Sequence, residues 1–264
     1  MTTTNLKAVD LPRWRTDDLY PGLDDAKFTG DLRAFGEGVR ALEATFDDLG
    51  VRKGGSPVTP QALERVLGDL NALTLDRIRL GGYVNAFTSV DSRDALAQQR
   101  AGELSTLGLP LGPLRSRLTA WLGGLSEAAL GELLGASSVA RDHEYFLRKA
   151  VKYAAHQMTP PEEDLAARLN PSGAGGWGKL HGNYTSQLTG EYRGQPIPVT
   201  TLRGMQSDAD ENVRRDAFHA EIAAWKTAEM VCAACLNGVK GEQGTLAKRR
   251  GFADAVEPSL LNNG

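Results

Sequence analysis

Apolar side chains recur every three or four residues along most of this chain, a spacing that commits it to helices packed on helices. Phe28, Leu32, Phe35, Val39, Leu42, Phe46 and Leu49 fall on one stripe of a helix. Gly36 and Gly38 weaken its middle without interrupting the stripe. Leu23-Asp24-Asp25 places carboxylates at its start, where the helix dipole favours them, and Gly50 followed by Lys53-Gly54-Gly55-Ser56-Pro57 ends it in a loop. The next helix opens at Thr59-Pro60, a capping hydroxyl followed by a proline where no N–H is needed. It buries Leu63, Val66, Leu67, Leu70 and Leu73 and continues through Ile78 to about Phe87.

A third helix is predicted from Asp91-Ser92 to Leu107, then a connector over Leu109-Pro110-Leu111-Gly112-Pro113. Helical pattern resumes from Leu114 to about Leu134, broken at Gly123-Gly124 and recapped by Ser126 alone, because no glutamate stands three residues after it. An aromatic-rich helix is predicted over Val139–Tyr153, and Thr159-Pro160-Pro161-Glu162 repeats the proline start. Asn170-Pro171-Ser172-Gly173-Ala174-Gly175-Gly176 reads as a flexible link before a short helix around Trp177–Tyr184. Two short arms, residues 187–192 and 195–199, flank Arg193-Gly194 as a β-hairpin, the prolines confining the second arm to a sheet edge. Ser207-Asp208-Ala209-Asp210 then starts a long helix with Val213, Phe218, Ile222, Trp225, Val231, Leu236 and Val239 as its apolar residues. The predicted fold class is mainly α, a multi-helix bundle with one short β-hairpin.

Composition bounds the function. The 264 residues suffice for one large domain or two small ones, and a net charge of −3 with interspersed signs gives no reason to expect nucleic acid or an anionic membrane as partner. No run approaches the ~20 apolar residues that cross a bilayer. Met1-Thr2-Thr3-Thr4-Asn5-Leu6-Lys7 lacks the basic start and apolar run of a secretory signal, and two closely spaced cysteines suit a reducing compartment. The expectation is a cytoplasmic, soluble protein.

Few residues carry obvious chemistry. The histidines are His143, His156, His181 and His219, and no two stand four apart. His143-Glu144-Tyr145-Phe146-Leu147 approaches the His-Glu-x-x-His zinc motif but has leucine where the second ligand belongs, so His143 and Glu144 read as a polar helix face opposite Tyr145 and Leu147. Cys232-Ala233-Ala234-Cys235 lies within an amphipathic helix, without the strand that a redox pair needs and without a second pair to complete a zinc site; it reads as two small core-facing residues. Gly173-Ala174-Gly175-Gly176 lacks the lysine-serine ending of a phosphate loop, and Trp14, Trp177 and Trp225 read as packing anchors. Lys248, Arg249 and Arg250, with Lys240 nearby, admit two readings: a solvated helix end complementing the dipole, or cations that face substrate carboxylates in a channel.

Several stretches, taken in order, resemble the oligoendopeptidase F and thimet-type oligopeptidase family. They are Trp14-Arg15-Thr16-Asp17-Asp18-Leu19-Tyr20, Thr159-Pro160-Pro161-Glu162-Glu163, Asn170-Pro171-Ser172-Gly173-Ala174 with Trp177, the hairpin with Leu202-Arg203, Val213-Arg214-Arg215, and a tail from Leu236-Asn237-Gly238-Val239-Lys240-Gly241-Glu242 to Pro258-Ser259-Leu260-Leu261-Asn262-Asn263. The resemblance implies a Zn2+ endopeptidase that cuts short peptides in a channel between two mostly helical halves. In that family two histidines of a His-Glu-x-x-His helix and a downstream glutamate hold the metal, and the glutamate between the histidines takes a proton from metal-bound water. It implies that residues 1–190 form the N-terminal helical lobe and that residues 199–264 begin a zincin-type catalytic lobe truncated before its zinc motif. The fragment is accordingly expected to be inactive, with no catalytic or metal residue of its own and with the C-terminal catalytic half as its missing partner. The alternative is a stand-alone helical interaction module, a remnant without catalysis.

Overall fold

The computed structural model describes residues 15–263. The Met1–Lys7 stretch and the part of the tryptophan lead-in that includes Trp14, with its packing role, lie outside those residues.

The chain is a bundle of helices with one hairpin. Helix α1, Ala26–Asp48, is capped by Asp25, whose carboxylate accepts the Lys27 N–H, and it buries Phe28, Leu32, Phe35, Val39, Leu42 and Phe46 as the periodicity requires. Just before it, Tyr20 of the lead-in is buried; it packs edge-on against Phe28 and Tyr83 and donates its hydroxyl to Asp31 at 2.8 Å. Burial, with Asp31 as acceptor, pushes the Tyr20 phenol up to about 12. Helix α2, Pro60–Val90, starts on Thr59 as expected and packs against α1.

Helix α3, Ala95–Leu107, begins later than predicted. Asp91 takes the Arg93 N–H into a side-chain turn, which leaves Asp94 as the cap. Helix α4, Leu111–Leu122, absorbs most of the predicted connector. Pro113 fits its first turn, where backbone N–H groups have no intrahelical acceptor. The break at Gly123-Gly124 is present, and α5, Glu127–Ala136, is capped by Ser126 through the Ala129 N–H at 3.2 Å.

The helix predicted over Val139–Tyr153 is two helices, α6, Ser138–Asp142, and α7, Glu144–Ala154. His143 leaves helical geometry between them; its Nδ1 bonds the Val139 carbonyl at 2.8 Å and its Nε2 meets the Asn71 amide at 2.9 Å. Leu147 is buried, but Tyr145 is 62% exposed, so the predicted opposition of polar and aromatic faces does not hold there. Helix α8, Pro160–Leu169, follows Thr159, whose N–H and hydroxyl both donate to Glu162. The predicted flexible link is a tight turn: α9, Ala174–Thr185, begins three residues before Trp177.

Strands β1, Thr189–Tyr192, and β2, Gln195–Pro198, pair antiparallel with Tyr192 opposite Gln195. Arg193 and Gly194 have φ of 52° and 80°, the paired positive values of the two-residue turn that matches strand twist. Helix α10, Val199–Met205, leads to α11, Glu211–Arg249, and α12, Glu257–Asn263.

One core cluster runs from Tyr20 to Ala150 through α1 to α7; a smaller one joins Leu202, Ala217 and Ala220 beside Tyr192, Ile197 and Met205. Helix α11 carries α9, α10 and β1. Its buried residues are Ala217, Ala220, Glu221, Ala224, Ala228, Cys235 and Ala247, not the large apolar residues singled out in the sequence. Phe218, Ile222 and Leu236 are 48%, 40% and 58% exposed. The neighbouring elements approach too closely for bulky side chains, so methyl groups line the contact. No helix among the described residues is long and apolar enough to cross a membrane.

Candidate functional site

Two segments singled out in the sequence meet where α9 lies on α11. Glu242 of α11 accepts the Asn170 side-chain amide at 3.0 Å and the Ala174 N–H at 2.5 Å, so its carboxylate occupies the start of α9, where unpaired N–H groups collect. One turn and a residue earlier on α11, Gly238 lies under the Trp177 indole; a Cβ there would stand 2.5 Å from ring atoms. The small residue lets the two helices close on each other, and Trp177 anchors the contact while remaining 38% exposed.

A second carboxylate of α11, Glu221, is buried beneath α10. It accepts Arg203 Nε at 3.0 Å and Nη2 at 2.5 Å, Trp225 Nε1 at 3.1 Å, and a further short bond from the Gln206 amide. Burial alone would push this carboxyl up, but the donors Trp225, Arg203 and Gln206 together hold it below the usual glutamate range. It is an anionic anchor tying α10 to α11, and nothing in the local sequence marks it apart from the arginine of Leu202-Arg203. Trp225 is thereby fixed through its N–H.

The three cations singled out in the sequence separate. Arg250 turns inward: Nε and Nη2 reach the two oxygens of Glu163 at 3.0 and 2.7 Å, and the side chains are only 20% and 7% exposed. That ion pair holds the end of α11 against α8, and it pushes the guanidinium pKa upward. Arg249 stands 3.5 Å from Glu162 on the surface, and Lys248 is exposed. The ring of His156 stacks on Phe252 at 4.1 Å beside them. A cleft of about 1120 Å³ lies next to this junction, lined by Val58, Arg117, Trp121, Ala154, Met158 and Glu163 among others. Arg117 is tied to the Val51 carbonyl and to Asp47, and Trp121 donates to the Ser56 carbonyl, so its polar wall groups already serve the fold.

The described residues do not fit a zinc centre. Among the described residues no three His, Cys, Asp or Glu side chains are grouped so as to hold a metal ion. His143 spends both ring nitrogens on Val139 and Asn71, and His181 and His219 are exposed and apart. Cys235 is buried and Cys232 half-buried, both free thiols along the middle of α11.

Residues 121–189 match the family model described as Oligopeptidase F. That stretch, about a quarter of the chain, is what resembles the family's N-terminal region. The match runs from the end of α4 to the first residue of β1, and it includes both the Thr159–Glu163 start of α8 and the Asn170–Trp177 segment that Glu242 caps. The solved oligoendopeptidase-F from Enterococcus faecium is similar in fold, with a TM-score of 0.71 at 15% identity, covering 91% of this chain and 47% of that one. PZ peptidase A, solved with an inhibitor, has a TM-score of 0.57 at 13% identity and covers 97% of this chain and 39% of its own. The chain therefore spans about half the length of the Enterococcus enzyme. No curated protein matches the chain.

Proposed function

We propose that this chain supplies the N-terminal part of a zinc-dependent oligoendopeptidase that hydrolyses short peptides in an enclosed channel. The observation that carries this reading is a fold shared over 91% of the chain with an oligoendopeptidase-F of which it spans only 47%. On this reading the helices before the hairpin wall one side of the channel, and α10 to α12 begin the catalytic lobe. The catalytic lobe's own zinc ligands belong to sequence outside these residues, since no His-Glu-x-x-His occurs in the 264 residues. Lys248 and Arg249, still exposed, are the cations left to face substrate carboxylates; Arg250 is committed to Glu163. Free thiols at Cys232 and Cys235 suit a cytoplasmic enzyme.

The test is turnover of a quenched fluorescent peptide. The purified chain alone is expected to show none above buffer. The same chain joined to the C-terminal half of an oligoendopeptidase, with zinc, is expected to cleave it in a chelator-sensitive way. Chelator-sensitive cleavage by the isolated chain would overturn the reading.

A further inference from the structure

Helix α11 is paved with alanine on the side that meets α9, α10 and β1, while its largest apolar side chains lie on an open flank. At 100° per residue, Phe218, Ile222, Trp225 and Leu236 fall within a single narrow stripe. From Phe218 to Leu236 the stripe runs about 27 Å. Phe218, Ile222 and Leu236 expose two-fifths or more of their surface, and Trp225 is half-buried with its N–H held by Glu221. Glu229 lies within this stripe, and exposed Lys226 and Lys240 border it. Val256, 59% exposed, and Leu260, 65% exposed, add apolar surface around the helix that follows. Apolar side chains aligned this way are costly to leave in water, and scattered exposure does not produce such alignment.

We infer that this flank of α11 is the docking surface for the C-terminal half of the peptidase. The inference rests on the functional reading above and names the residues that would carry the contact. The occupant follows from the lengths: the Enterococcus faecium chain shares this fold, and 47% of it accounts for the match, so the greater part of that chain is available to cover what is bare here. A long helix with one face packed and an adjoining flank open is the geometry of an element shared between two layers, each needing an apolar stripe. Trp225, rigid through its bond to Glu221 and flanked by Phe218 and Ile222, is the expected centre of the contact, because buried aromatic anchors dominate interface energy.

The probe is the C-terminal half of the Enterococcus faecium oligoendopeptidase-F, produced as a separate polypeptide, verified as folded by circular dichroism and a cooperative melt, and mixed with the full chain. Binding is followed by sedimentation velocity and calorimetry. Phe218→Glu with Leu236→Glu tests the stripe; both are exposed, and circular dichroism confirms that the variant keeps its helices. Met230→Glu is the control, since Met230 is 81% exposed but lies about 120° around the helix from Phe218. The inference expects a complex with the unmodified chain, weakened at least about thirtyfold by the stripe pair and unchanged by M230E. A complex indifferent to the stripe pair, or equally weakened by M230E, overturns the surface assignment and leaves the peptidase reading standing. Absence of any complex overturns the assignment, as does self-association of the chain that only the stripe pair abolishes, which would make the occupant a second copy. A stripe-dependent complex that fails to cleave peptide with zinc present would instead sink the peptidase reading alone.

Discussion

Replacing Arg250 with methionine tests whether this guanidinium supports the fold or is free to meet a substrate. In the native chain it makes two bonds to Glu163, at 3.0 and 2.7 Å, from a position only one-fifth exposed. The substitution keeps much of the side-chain volume but leaves Glu163 with the Met158 N–H at 3.1 Å as its remaining donor. Removing one partner of a fully buried pair costs about 3–5 kcal/mol. Glu163 borders the large cleft, so water can reach the orphaned oxygen, and the expected loss falls to about 2–3 kcal/mol. For a chain of this size that corresponds to a fall in Tm of roughly 5–10 °C. Urea unfolding of R250M, E163Q and the double variant forms the assay, with the double expected to lose clearly less than the sum of the singles. A loss under about 0.5 kcal/mol with no coupling would refute the reasoning and return Arg250 to the candidates for a channel cation.

Three further outcomes are expected. Glu221 has a depressed pKa in the folded chain, so its stabilisation is complete above the unfolded value near pH ~4.3 and is lost as pH falls through the lower folded value. Glu221→Gln should therefore flatten the acid limb of stability between about pH 5 and pH 3 and cost about 1–2 kcal/mol at neutral pH; parallel pH profiles for the two proteins would contradict this. Gly238→Ala gains helix propensity of about 1 kcal/mol but places a methyl into the Trp177 ring, costing about 1–3 kcal/mol, so a small net loss and a red-shifted Trp177 emission, isolated by comparison with W177F, are expected. Zinc titrated into the purified chain should show no stoichiometric site, and Cys232→Ser should change nothing in metal content; a stoichiometric ion lost in that variant would overturn the view of the pair as core thiols.

How much was legible in the sequence depended on how local the deciding physics was. Thr59-Pro60, Thr159-Pro160 and Arg193-Gly194 announce their cap or turn within a few residues, and the α1 stripe buries the side chains its spacing selects. The break at His143 depends on Asn71, 72 residues away, and could not be read from Val139 to Tyr153. The link before α9 looked flexible because of its glycines, yet Glu242 pins it from a distant helix. On α11 the large apolar residues do not mark the buried side, because the deciding quantity is how near the neighbouring elements come. Glu221 carried no signal beyond the arginine of Leu202-Arg203, since a buried carboxylate is recognisable only once its donors are assembled.

The alanine-lined side of α11 also sets where this protein can change. Between closely apposed helices, even one added methylene has nowhere to go, whereas residues a quarter-turn away can grow or shrink without disturbing the fold of this segment. A saturation library read for soluble expression should therefore show a lopsided helix: depletion of nearly every larger residue at Ala217, Ala224 and Ala228, and broad permissiveness at Phe218 and Leu236.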